Sequence, residues 1–170
     1  MAGQLIQVAT ETVTSAVASV TLTGIDSDDV YMVTFNNVRP TTDSTIIQAR
    51  IIKSDDTADS TANYDRALKA LRTDTTFTNV GSVNQTAFDV ELLGTGTGEM
   101  TNGIFYLFNF NNASEYNFCT TETSNINSTP ILIGGAGGFV HTVAQASKGL
   151  QFFIASNTIA SGVFTMYKVV

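Results

Sequence analysis

A single histidine, His141, a single cysteine, Cys119, and fifteen acidic residues carry most of the reactive chemistry of this 170-residue chain. His141 sits in Gly138-Phe139-Val140-His141-Thr142-Val143, an apolar run that reads as a strand. A Ser-His-Asp triad would need this residue, yet no Gly-x-Ser-x-Gly elbow presents a nucleophile. A Cys119–His141 dyad has no local signature either. Cys119 follows Phe118 in another extended run and reads as a small buried apolar residue. A structural zinc site takes several Cys and His ligands, and this chain has one of each. The expectation is that neither residue serves catalysis and that the chain is not an enzyme.

The acids offer other chemistry. Asp26, Asp28 and Asp29 share one turn and supply carboxylate oxygens of the kind calcium takes. The Asp-x-Asp-x-Asp-Gly order is absent, so the alternative is a solvated turn. Asp55, Asp56 and Asp59 form a second acidic loop with the same two readings. A carboxylate pair for glycoside hydrolysis is defined by separation in space, which sequence spacing does not give. Tyr64, Tyr106, Tyr116 and Tyr167 could form a stacking platform for a sugar or pack along a core edge. Gly94-Thr95-Gly96-Thr97-Gly98 lacks the Gly-Lys-Ser/Thr ending of a phosphate loop and reads as a flexible surface loop. Nothing in the sequence calls for a cofactor.

The elements that must position these residues read as strands. Ala18, Val20 and Leu22 alternate with Ser19, Thr21 and Thr23. Tyr31, Val33 and Phe35 share one face, as do Ile47, Ala49 and Ile51, and Phe88, Val90 and Leu92. Ile104 to Phe110 is apolar on both faces, the pattern of a central strand buried on both sides. Tyr116–Thr121, Ile131–Ile133, Phe139–Val143, Leu150–Ala155 and Gly162–Val170 continue the series. Asp-, Asn- and Gly-rich clusters separate the runs, among them Asn102-Gly103 and Gly134-Gly135-Ala136-Gly137-Gly138, and read as turns. Tyr64 to Arg72 breaks the pattern, because Leu68 and Leu71 at helical spacing predict a two-turn helix, with a strand as the alternative. The fold class is therefore all-β, an antiparallel two-sheet sandwich of jelly-roll-like type. Residues 1–17 form an N-terminal arm or edge strand, and residues 18–170 a single sandwich domain. The core is expected to hold Val20, Leu22, Val33, Phe35, Ile47, Ile51, Phe88, Val90, Tyr106, Phe108, Phe152 and Phe164.

Composition narrows the function classes. Charged residues make up 14% of the chain against a usual level of about 25%. Thr, Ser and Asn, 52 residues together, carry the polarity instead. Short neutral side chains suit strand faces and are cheap to desolvate against a neighbour. The net charge of −7, with eight Lys and Arg, disfavours nucleic acid, which needs phosphate neutralisation. The first residues show no basic segment followed by a long apolar run, and no stretch is long enough to cross a membrane as a helix. The expectation is a protein that inserts in no membrane and is assembled in a reducing cytoplasm.

Val20-Thr21-Leu22-Thr23-Gly24-Ile25-Asp26, Val30 to Pro40, Asn63-Tyr64-Asp65, Gly103 to Asn112 and Ile159 to Tyr167 together resemble small β-sandwich structural proteins of tailed bacteriophages. The resemblance covers roughly residues 18 to 170 and lies in pattern and short phrases, with no catalytic motif. It implies an extended conformation around Tyr64. It also implies a virion protein, such as a capsid decoration protein or a tail appendage, that contacts capsid or tail proteins as a homo-oligomer. The alternatives are a receptor- or glycan-binding fibre or spike module recognising a host-surface glycan and, further off, a virion-associated hydrolase. Leu5 to Val13 lies outside the compact run of strands, and Leu5, Ile6 and Val8 are the candidate assembly residues, through strand addition to a neighbour. An edge strand of the chain's own sandwich is the equal alternative.

Overall fold

A computed structural model describes residues 3–155 and 157–170. Twelve strands follow in order: β1 (Leu5–Val13), β2 (Ser19–Thr23), β3 (Tyr31–Pro40), β4 (Thr45–Lys53), β5 (Tyr64–Arg72), β6 (Phe77–Gln85), β7 (Phe88–Leu93), β8 (Thr101–Phe108), β9 (Asn117–Ile126), β10 (Leu132–His141), β11 (Ser147–Ile154) and β12 (Ile159–Val169). Eight form one sheet, in the order β1-β12-β3-β8-β9-β10-β5-β6, and four form the other, in the order β2-β11-β4-β7. The pairings are antiparallel. From β2 to β5 each connection crosses from one sheet to the other, the winding of a jelly roll, and β9 and β10 widen the large sheet. The expected all-β, two-sheet, jelly-roll-like sandwich is the fold observed.

Alternation explains which face each strand buries. β9 is the plainest case: Asn117, Cys119, Thr121, Thr123 and Asn125 point inward, and the residues between them are exposed. Between the sheets a string of aromatic rings fills the core. Phe35 meets Phe105 edge-on with centroids 5.4 Å apart, and Phe152 lies 5.1 Å from Phe164. At the far end Tyr64 packs edge-on against Phe88 at 4.7 Å, and Phe88 lies 4.8 Å from Phe139. Such edge-on contacts add about 0.5–1.5 kcal/mol each beyond the area buried.

Several expectations are corrected. Tyr64 to Arg72 is strand β5, not a helix. It is hydrogen-bonded between β10 and β6, and Tyr64, Arg66, Leu68 and Ala70 turn toward the small sheet with period two. The strand Phe77–Gln85 was not expected and pairs with β5 as the outermost strand. β8 is central but buried on one face only. Phe105 and Leu107 point inward, whereas Tyr106 is 41% exposed and Phe108 half-buried, so neither belongs in the core. The other residues expected inside are buried.

Two presumed turns lie within strands. The cluster Gly134–Gly138 is the middle of β10, paired with β5 on one side and β9 on the other. Asn102-Gly103 is in β8. At Gly103 the Phe35 ring occupies the place a side chain would take, and at Gly137 the Ala67 carbonyl does. These glycines permit close approach rather than chain reversal.

Candidate functional site

Among the described residues no layer covers the outer face of the large sheet. The inward direction of Phe105, Leu107, Cys119 and Phe139 sends their neighbours outward. Register then sets Tyr167, Met32 and Tyr106 side by side across β12, β3 and β8. One step along, Phe108, Phe118 and Val140 align across β8, β9 and β10. Phe118 and nearby Tyr116 are each 45% exposed. Beyond them Val83 of β6, at 63%, rims an open apolar depression of about 470 Å³ floored by Ala67, Thr120 and Gly138. β6 ends the sheet, and its sequence, Phe-Thr-Asn-Val-Gly-Ser-Val-Asn-Gln, contains no charge. Natural edge strands are commonly guarded by charge or proline; this one has neither.

Of the candidate assembly residues, Leu5 and Ile6 are exposed, while Val8 is partly buried against the core. They lie on β1, which pairs along its length with β12 of the same chain. The segment is thus an edge strand of its own sheet, with its second edge open. Of the four tyrosines, Tyr64 is in the core and cannot join a surface platform, whereas Tyr106 and Tyr116 are exposed.

The turn Asp26–Asp29 already contains a cation. The Lys168 ammonium lies 2.9 Å from Asp29 and 3.5 Å from Asp26. Asp26 also accepts from the Tyr31 hydroxyl at 2.8 Å, and these hydrogen bonds hold its carboxyl below the usual range. Asp28 stands apart, accepting from Asn112. Among the described residues no three His, Cys, Asp or Glu side chains gather as a metal would require. In the Gly94–Gly98 loop the Glu99 carboxylate accepts from the Gly96 amide at 2.7 Å, so an anion of the chain itself fills that turn.

The second acidic loop divides. Asp55 and Asp56 pair with Lys53 and Lys148 on the surface, but Asp59 turns inward. Its Oδ2 lies 3.2 Å from Nε2 of His141, whose side chain is fully buried. Burial opposes ionisation of Asp59, but the hydroxyl and amide of Thr61, together with His141, outweigh it and hold the carboxyl low. For His141 burial dominates and lowers its basicity, against the pull of Asp59. The pair is a neutral imidazole beside a carboxylate, sealed under Tyr64, whose ring centroid is 4.7 Å away. Cys119 faces Phe139 across the ladder, not His141, and burial pushes its thiol well up. Cys119 and His141 are both buried away from solvent.

A further acid went unnoticed in the sequence. Strict alternation with Val90 would turn Glu91 of β7 outward, but the β4–β7 pairing is irregular there, and its carboxylate reaches Thr123 of β9 between the sheets. Oε2 accepts from the Thr123 hydroxyl at 3.0 Å and Oε1 from the Leu92 amide at 2.9 Å. Burial raises its carboxyl above the usual range, against these hydrogen bonds and the charge of Arg66. It lines a cleft of about 110 Å³ at the β7 edge, walled by Leu68, Val80, Val90 and Leu92 together with Arg66 and Lys69. No local signal marks it, because Thr123 and Arg66, which act on it, come from β9 and β5.

No protein-family model matches the chain, and no curated protein is detectably similar to it.

Proposed function

We propose that this chain is a non-enzymatic structural subunit of a tailed-phage virion, a capsid decoration or tail-appendage protein. It acts by docking the open face of its large sheet on other virion proteins or on further copies of itself. The observation that carries this reading is the apolar band Tyr106, Phe108, Phe118 and Val140, which runs toward the uncharged edge strand β6 on a face with no covering layer. Contiguous exposed apolar surface of this kind marks interaction sites. The low charge content supports the reading, since little desolvation cost opposes contact. The resemblance to phage sandwich proteins supplies the particle.

A glycan-binding role is the second reading, favoured by the exposed rings of Tyr106, Tyr116 and Phe118. One set of variants separates the two. Phe118→Lys and Val83→Lys alter exposed positions and should shift stability by only about 0.5 kcal/mol. Under the docking reading, purified particles lack the folded variants. Normal incorporation with lost adsorption to host cells favours glycan binding, and normal incorporation with normal adsorption refutes both.

A further inference from the structure

We infer that the cleft at Glu91 is a binding site for a primary alkylammonium group, held by Glu91, Thr121 and Thr123. The inference is independent of the docking reading, since the cleft lies between the sheets and the docking face lies outside.

Three observations converge. Glu91 has no ion-pair partner among the described residues. Arg66, the cation that acts on it, is committed elsewhere, 3.2 Å from Asp89 and donating to the Asp89 carbonyl at 2.8 Å. Lys69 also lines the cleft, from an exposed position on β5, but the only cation whose charge acts on Glu91 is Arg66, so the carboxylate stays without an ion-pair partner in surroundings that disfavour its charge. Thr121, two residues from Thr123 on the same inward face of β9, lines the same cleft; it is only 4% exposed, and its hydroxyl has no hydrogen-bond partner. Buried polar atoms left without a partner are uncommon and costly. Third, a residue without a side chain lies at the cleft: Gly135 of β10, opposite Thr123, is part of its lining. A methyl group at Gly135 would run into the Thr123 hydroxyl and stand 3.4 Å from the Glu91 carboxylate.

An ammonium head has three N–H donors and no acceptor. The Glu91 carboxylate, the Thr121 hydroxyl and the lone pairs left on the Thr123 hydroxyl are three acceptors. Leu68, Val80, Val90 and Leu92 offer apolar wall to a methylene stem. A quaternary ammonium lacks the donors, and a neutral alcohol lacks the charge that would match Glu91. The shared chemistry has two sources, a free alkylamine or the lysine side chain of a neighbouring protein.

The test is a titration of the ¹⁵N-labelled protein with n-butylammonium chloride near pH 7 at constant ionic strength, following the amides of Thr121, Thr123 and Gly135. The inference expects saturable shifts confined to those amides, and none with n-butanol or tetramethylammonium chloride. Binding should fade on acidification as Glu91 takes up its proton. Glu91→Gln should weaken affinity about tenfold or more, because a charge-assisted bond becomes a neutral one. Thr121→Val should weaken it several-fold while leaving the thermal midpoint unchanged or raised, since an unpartnered hydroxyl is removed. If Glu91→Gln does not fold, the Thr121→Val comparison decides. N-acetyl-lysine methylamide binding like n-butylammonium assigns the source to protein lysines; its exclusion while n-butylammonium binds assigns it to free amines. Absence of saturable shifts, equal shifts with n-butanol, or full affinity in both variants overturns the inference.

Discussion

Replacing Tyr64 by Phe removes one oxygen from a side chain that is 1% exposed, and the cost can be worked from its partners. The hydroxyl donates to the Asp59 carbonyl at 2.6 Å and accepts from the Ile51 amide at 3.2 Å. It thereby ties β4 to the loop that carries Asp59 into the interior. The ring contacts with Phe88 and His141 survive the substitution, so packing changes little. Two buried backbone groups lose their partner, at about 1–3 kcal/mol each. The longer Ile51 bond contributes the smaller part, which gives an expected loss of about 2–4 kcal/mol. For a chain of this length that corresponds to a fall in Tm of roughly 5–15 °C. Urea unfolding followed by circular dichroism is the assay. The midpoint should fall with little change in slope, since the surface exposed on unfolding is nearly the same. A loss below about 0.5 kcal/mol would refute the reasoning, for it would mean that solvent already reaches these groups.

Phe105→Ala should cost about 3–5 kcal/mol, because the ring is fully buried among Phe35, Phe139 and Phe152, whereas Phe108→Ala on the open face should cost under about 2 kcal/mol; equal losses in urea unfolding would overturn the assignment of β8 faces. Acid should destabilise the fold in two steps. His141 titrates below its ordinary 6.5 in the folded chain, so the unfolded chain binds the proton first and stability falls as pH drops below about that value; Asp59, held below 3.8, adds a loss further down. His141→Gln should flatten the urea midpoint between pH 7.5 and 5, and an unchanged pH profile would exclude His141 as the cause. Gly137→Val should cost about 3 kcal/mol or more against the Ala67 carbonyl, while Gly134→Ala, with open space around it, should be neutral or gain up to about 1 kcal/mol; thermal melts of the two variants check the contrast.

Strand identity was legible where alternation was clean and each strand had one polar face. Val33 and Phe35, Ile47 and Ile51, and Phe88 and Val90 all lie inward as their spacing implies. The signal failed where a tertiary partner overrode a local one. Leu68 and Leu71 at helical spacing lie on opposite faces of β5, because β10 and β6 supply ladders on both sides. In β8, apolar residues on both faces implied double burial, yet the outer set faces solvent. A sequence records that a face is apolar, not whether the same chain covers it. The candidate sites obey the same limit. Asp26, Asp28 and Asp29 were visible as a cluster, but Lys168, which neutralises two of them, lies 142 residues from Asp26. His141–Asp59 and Glu91–Thr123 likewise join distant strands and loops.

The glycine run of β10 shows how one sequence feature can carry two faces at once. Glycine and alanine at 134–138 read as a turn when glycine's backbone freedom alone is considered. In β10 it works through missing side chains. Gly135 and Gly137 face inward, where Thr123 and the β5 backbone come too close for a methyl group, and Gly135 lines the cleft of Glu91. Gly138 faces outward and, with Ala67 and Thr120, floors the apolar depression bounded by Phe118 and Val83. A side chain at Gly135 would press on Thr123 and Glu91 at the cleft and leave the depression untouched, whereas one at Gly138, which meets only ordinary contact, would alter the depression and leave the cleft. The proposed amine site and the proposed docking face are thus separable by substitution within a single strand, although the backbone between them is shared.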